Sequence, residues 1–194
     1  DMLILAQLVG LRKGDEPPAE PESREASKYD MPIAAEMIKG EVREVPGGRF
    51  GEAYDFQGGS LDIGETNDYA LADQSFTISL WFTRNPASAD GQARRLISAG
   101  AGSDQKAGWA LWIQKDGSGL TFRVGDGDSA SDLTAKHESL MNGEWHHAVV
   151  VIERQTSRIH LFIDGVLVAE KAATLLEGRT IGSSSGLCIG RNSE

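Results

Sequence analysis

Gly143-Glu-Trp-His-His-Ala-Val-Val-Val-Ile152, followed by His160-Leu-Phe-Ile-Asp-Gly-Val-Leu-Val168, decides how the rest of the chain is read. From Arg158 to Ile163 the side chains alternate, with Ile159, Leu161 and Ile163 on one face. That period of two marks a strand with one buried side. Asp164-Gly165 then supplies two residues that accept positive φ, as a two-residue hairpin turn demands, and Val166 to Ala169 is the returning strand. The stretch ending at Ile152 is a further strand, on which the adjacent His146 and His147 must point to opposite faces.

Working outward, the same pattern recurs. Phe76, Ile78, Leu80 and Phe82 share one face of a strand, and Thr77, Ser79, Trp81 and Thr83 share the other. Arg94 to Gly100, Gly108 to Gln114 and Leu120 to Val124 read as further strands, with Asp116-Gly-Ser-Gly119 as the hairpin between the last two. Before them, Ile33 to Ile38, Glu41 to Val45 and Ser60 to Ile63 are short strands, and Pro46-Gly47-Gly48 is expected to break the chain. Met2-Leu-Ile-Leu-Ala-Gln-Leu-Val-Gly-Leu11 lacks a basic leader and is too short to span a bilayer, so it reads as a buried first strand. Residues 12–32 are polar and proline-bearing, with no hydrophobic period, and read as a long surface loop. Short strands at this spacing, without a sustained helical period, predict an all-β sandwich of two antiparallel sheets. One core over residues 1–194 is expected.

Composition narrows the partners. Nineteen basic against 29 acidic residues give a net charge of −10, which opposes nucleic acid and anionic lipid. Cys188 stands alone, so an intrachain disulfide and a cysteine zinc site are both excluded, and its Leu-Cys-Ile-Gly setting reads as a buried, inert thiol. A chain that starts at Asp1 is read as a piece excised from a longer polypeptide.

The two opening segments, with Phe76-Thr-Ile-Ser-Leu-Trp-Phe82, Leu187-Cys-Ile-Gly190 and Gly48-Arg-Phe-Gly-Glu-Ala-Tyr-Asp-Phe56, closely resemble the laminin G-like family within the concanavalin A-like jelly rolls. The resemblance runs from about Arg49 to Gly190, and more weakly back to Met2. It implies a concanavalin A-like jelly-roll sandwich. It also implies a non-catalytic recognition or adhesion module of a larger, exported protein, sited outside the cell, at its surface or in the periplasm. A glycan or protein ligand and neighbouring domains of the same polypeptide are the implied partners. Family members usually continue past the strand matching Leu187 to Gly190. Here the sequence ends at Glu194, so either a strand is missing or the N-terminal strand or another chain covers that sheet edge. A structural spacer without its own ligand is the first alternative function, and a glucanase-type hydrolase the second.

The hydrolase finds little support. The related glucanases carry Glu, Asp and Glu on one strand face, and the nearest match, Ser60-Leu-Asp-Ile-Gly-Glu65, has serine where the nucleophile should stand. The cation candidate is Val124-Gly-Asp-Gly-Asp-Ser-Ala-Ser-Asp132, where Asp126, Asp128 and Asp132 place three hard oxygen donors in what reads as one flexible turn. Some laminin G-like domains hold calcium at a sandwich rim, so calcium is the cofactor the resemblance implies. For a saccharide, an exposed aromatic with amides or carboxylates beside it is needed. Trp109 and Trp112 are candidates, and being three apart on a strand they face opposite ways. Gln114 accompanies Trp112, and Trp81 is the third candidate.

Overall fold

The computed structural model describes residues 2–9, 37–49, 51–64, 74–85, 92–100, 106–138, 140–181 and 186–190. The expected polar loop at 12–32, most of the expected strand at 33–38 and Glu65 lie outside the described residues. The regular structure of the described chain is strand apart from a 3-10 turn at Thr174–Leu176: β1 (Met2–Val9), β2 (Ile38–Lys39), β3 (Val42–Gly48), β4 (Gly51–Phe56), β5 (Ser60–Gly64), β6 (Phe76–Arg84), β7 (Arg94–Gly100), β8 (Ala107–Ile113), β9 (Gly119–Asp126), β10 (Ala130–Lys136), β11 (His146–Glu153), β12 (Arg158–Ile163), β13 (Val166–Ala172) and β14 (Leu187–Ile189). They form two seven-stranded antiparallel sheets, ordered β13-β12-β11-β6-β1-β4-β3 and β10-β9-β8-β7-β14-β5-β2. This is the sandwich of two antiparallel sheets expected from the alternation.

The core is built from the inward rows. Phe76, Ile78, Leu80 and Phe82 of β6, Ala148, Val150 and Ile152 of β11, and Ile159, Leu161 and Ile163 of β12 face Trp109, Leu111 and Ile113 of β8 and Leu120, Phe122 and Val124 of β9, all buried in one hydrophobic cluster. Burial alternates strictly along β6 from Phe76 to Phe82 and along all of β11, so His146 is buried and His147 half-exposed. One face of each strand meets the other sheet, and the second face meets solvent or covering segments.

The hairpin that opened the reading is closed by Asp164 and Gly165, with φ of 51° and 80°. Asp164 Oδ1 accepts the His147 N–H at 2.7 Å, and Oδ2 lies 2.8 Å from His146 Nδ1, so the turn is tied to β11. Burial of the Asp164 carboxyl pushes its pKa up, but the hydrogen bonds from His146 and the His147 amide outweigh that and leave it below the ordinary value. A Cβ at Gly165 would meet nothing within 4 Å, so the cost of Gly165→Ala is backbone strain alone, about 1–2 kcal/mol. Urea denaturation should show a lower midpoint with an unchanged slope.

Two strand readings are corrected. Pro46-Gly47-Gly48 does not end a strand: β3 runs through it to Gly48, with an irregular register between Pro46 and Gly48. The edge position of β3 tolerates the proline, which lacks an N–H to donate. Asp132 does not lie in a flexible turn. It sits on β10, where only Leu133 and Ala135 face inward, too faint an alternation to announce a strand. β14 pairs with both β5 and β7. The N-terminal β1 fills the slot between β4 and β6 in the other sheet.

Candidate functional site

Sheet position separates the four sequence-derived ligand candidates. Trp109 faces the core at 2% exposure and packs 6.1 Å from Phe76, so it serves packing. Trp81 is on the outer face of the other sheet. It stacks on His147 with ring centres 4.6 Å apart and planes 8° from parallel, while Arg49 lies 5.1 Å from its ring. Ser79 Oγ holds His147 Nε2 at 2.8 Å, and burial keeps the imidazole below its ordinary range against the opposing charge of Asp164. The Trp81 patch is thus closed over by its own neighbours.

Trp112 and Gln114 stay together, and Asp132 joins them from β10. Trp112 is half-buried on the outer face of the second sheet, where register places it across from Arg95 of β7 and Thr121 of β9. The Arg95 guanidinium carbon lies 4.5 Å from the ring centre and that of Arg123 5.7 Å, within cation–π range. Arg123 makes a two-pronged pair with Asp132, at 2.7 and 2.9 Å. Gln114 Nε2 donates to Thr121 Oγ1 at 3.3 Å, and the Thr121 and Thr134 hydroxyls are 3.0 Å apart. The result is an aromatic ring bordered by two guanidiniums, an amide, hydroxyls and a carboxylate.

This face leads to a groove. Ser118 Oγ donates to Asp116 Oδ1 at 2.7 Å and lies 3.0 Å from Gln114 Oε1. Ser118 also lines a depression of about 500 Å³ with Asp116, Lys136, His137, Glu138 and Asn142. The Ser118 hydroxyl and amide hold Asp116 ionised, below the ordinary carboxylate value.

Two of the three aspartates proposed from sequence as a cation site, Asp126 and Asp132, are engaged with different arginines. Asp126 accepts the N–H groups of Asp128 and Ser129, at 3.0 and 2.7 Å, and is paired with Arg179. Asp132 is held by Arg123. Among the described residues no group of three or more His, Cys, Asp or Glu side chains is placed to hold a metal ion. The donors as arranged therefore do not fit calcium, which needs six to eight oxygens around one point. The Ser129 amide first, and then Arg179, hold Asp126 well below the usual carboxylate range. With its folded pKa depressed, Asp126 contributes stability above an unfolded value of about 4, and that contribution is lost as pH falls below it. Asp126→Ala is expected to lower the melting midpoint at neutral pH by about 2–4 °C, the effect of one net hydrogen bond in a domain this size. The half-exposed Arg179 adds little. The shift should be the same in calcium and in chelator, which a pair of thermal scans checks.

Arg95 and Arg123 were not found from sequence. Arg123 was within reach, because it alternates with the inward Phe122 and Val124 and lies diagonal to Trp112 across the hairpin. Arg95 was not, because a register irregularity between Arg95 and Ile97 hides which side chain of β7 meets Trp112.

Comparison with known proteins fits this architecture. A laminin G-type family profile, described as Concanavalin A-like lectin/glucanases superfamily, matches residues 57–194. The non-toxic nonhemagglutinin type E of Clostridium botulinum is 25% identical over 114 residues, which are 59% of this chain and 9% of that protein. The chain thus spans under a tenth of that relative's length. Among solved structures, the Ruminococcus gnavus IT-sialidase CBM40, solved also with bound alpha2,3 sialyllactose, overlays with a TM-score of 0.49 and 15% identity, covering 66% of this chain and 68% of that one. A heptameric SAP-like pentraxin from Limulus polyphemus overlays at 0.47 with 16% identity, covering 63% and 54%. These overlays are partial.

Proposed function

The chain belongs to the concanavalin A-like lectin/glucanases superfamily, and from that membership we propose that it is a non-catalytic module that binds saccharide on the sheet face carrying Trp112. The observation that supports this reading most is the half-exposed Trp112, framed by Gln114, Thr121 and Thr134 and joined through Ser118 to the groove. A pyranose presents an apolar face for the ring and hydroxyls for the amide and hydroxyl groups beside it.

What supports the non-catalytic part of the reading is the strand nearest the glucanase motif: Ser60 stands where the nucleophilic carboxylate would be needed, and it is buried. A saccharide-binding module of this kind would work beside other domains of a longer polypeptide, outside the cytoplasm, at a cell surface or in the periplasm. No described helix is long and apolar enough to cross a membrane.

The test is a panel of immobilised neutral and acidic oligosaccharides probed with the purified domain, in calcium and in chelator. Retention of the domain by at least one saccharide class, equal in both buffers and without hydrolysis of the ligand, is the expected result. No retention by any class would favour a spacer without a ligand of its own.

A further inference from the structure

Resting on the saccharide reading, we propose that the ligand carries an anionic group, a carboxylate or sulfate, and that Arg95 is the residue that receives it. Arg95 stands out from the other side chains of this face by what it lacks. Its guanidinium stacks on Trp112 at 4.5 Å, yet Nη1 is shielded from solvent and has no hydrogen-bond partner. Arg123, on the far side of the ring, already has Asp132 as a bidentate partner. Around the Trp112 ring, two guanidiniums therefore meet one carboxylate, that of Asp132.

A shielded donor without a partner is uncommon in a folded protein, because it has left water and received nothing in return. Burial, and then the like charge of Arg123, bring the Arg95 pKa down to about 10, so the cation persists at neutral pH in surroundings that disfavour it. An incoming carboxylate or sulfate reverses both costs. It supplies the missing acceptor in the planar fork geometry that guanidinium favours, and it cancels the excess charge. On turning toward such a group, Arg95 gives up no hydrogen bond at Nη1, while Trp112 remains beneath it to pack the sugar ring. The net charge of −10 opposes general, non-specific anion binding.

The experiment titrates three probes, a galacturonate oligosaccharide, a sulfated galactan oligosaccharide and a neutral galactan oligosaccharide, into the wild-type domain and into Arg95→Gln. Wild type should bind at least one anionic probe about tenfold or more tightly than the neutral one, as expected for a charge-assisted bidentate contact. Arg95→Gln should collapse that ratio toward one, with the anionic affinity falling about tenfold more than the neutral one. Whichever anionic arm responds identifies carboxylate or sulfate as the source. An unchanged ratio in Arg95→Gln overturns the assignment while leaving the saccharide reading intact. Retention of neutral saccharides alone across the immobilised panel overturns the anionic assignment and keeps the saccharide reading, and no retention of any class there overturns both. Thermal unfolding supplies a second readout: Arg95→Gln should melt within about 2–4 °C of the wild-type midpoint, because relief of the orphaned Nη1 offsets the lost stacking on Trp112. A clear drop would mark Arg95 as structural and sink the proposal.

Discussion

Trp112→Ala is expected to lower saccharide affinity by about tenfold to a hundredfold, the effect of losing about 1.5–3 kcal/mol of apolar contact. The domain should remain folded. Trp112 is on an outer face, and truncation costs its contacts with Arg95 and Arg123, about 0.5–1 kcal/mol each at a partly exposed site. Isothermal titration with the saccharide retained most strongly gives the affinity, and a urea curve on the same protein confirms that it is folded. Trp81→Ala is the matched control. It removes an aromatic of the same size from the opposite sheet, where His147 and Arg49 already occupy the ring, and should leave the affinity unchanged. Equal losses in the two variants would mean that the Trp112 face is not the site.

Phe122→Ala is expected to cost about 3–5 kcal/mol, the range for emptying a buried phenylalanine site. Phe122 is fully buried, and the β8–β9 and β9–β10 registers place it in one row with Leu111 and Leu133. That row joins the inner face of the second sheet to the β6 and β11 rows opposite. Single domains have about 5–15 kcal/mol in total, so this loss takes a large share of stability. The midpoint in urea should fall with little change in slope. A loss below about 1 kcal/mol would show that the two sheets do not meet at this row.

Where an element announces itself through strong local alternation, the sequence sufficed. Asp164-Gly165 and the flanking rows define the β12–β13 hairpin. The three-residue spacing of Trp109 and Trp112 separates a packing tryptophan from an outward one, as burial confirms. The β8–β9 hairpin around Asp116 to Gly119 follows from turn chemistry, and with it the pairing of Trp112 with Thr121. What escaped depends on long-range assembly. β10 has only two inward side chains, so Asp132 looked like a loop donor for calcium when it is a strand residue paired with Arg123. Insertion of β1 between β4 and β6 leaves no local mark, because a strand's sheet neighbours are chosen by the whole packing. The groove draws on the 116–118 turn and the 136–142 segment, which alternation along one strand cannot bring together. Arg95 was hidden by a single irregular step in register.

The most direct test of the account follows the four tryptophan indole N–H signals of the isotopically labelled domain while the retained saccharide is titrated in. Trp81, Trp109, Trp112 and Trp145 are assigned by single substitutions. The account predicts that the Trp112 signal moves in proportion to binding, while those of Trp81 on the opposite sheet and Trp109 in the core stay in place. Movement of Trp81 with Trp112 unmoved would contradict it, and would transfer the binding face to the other sheet.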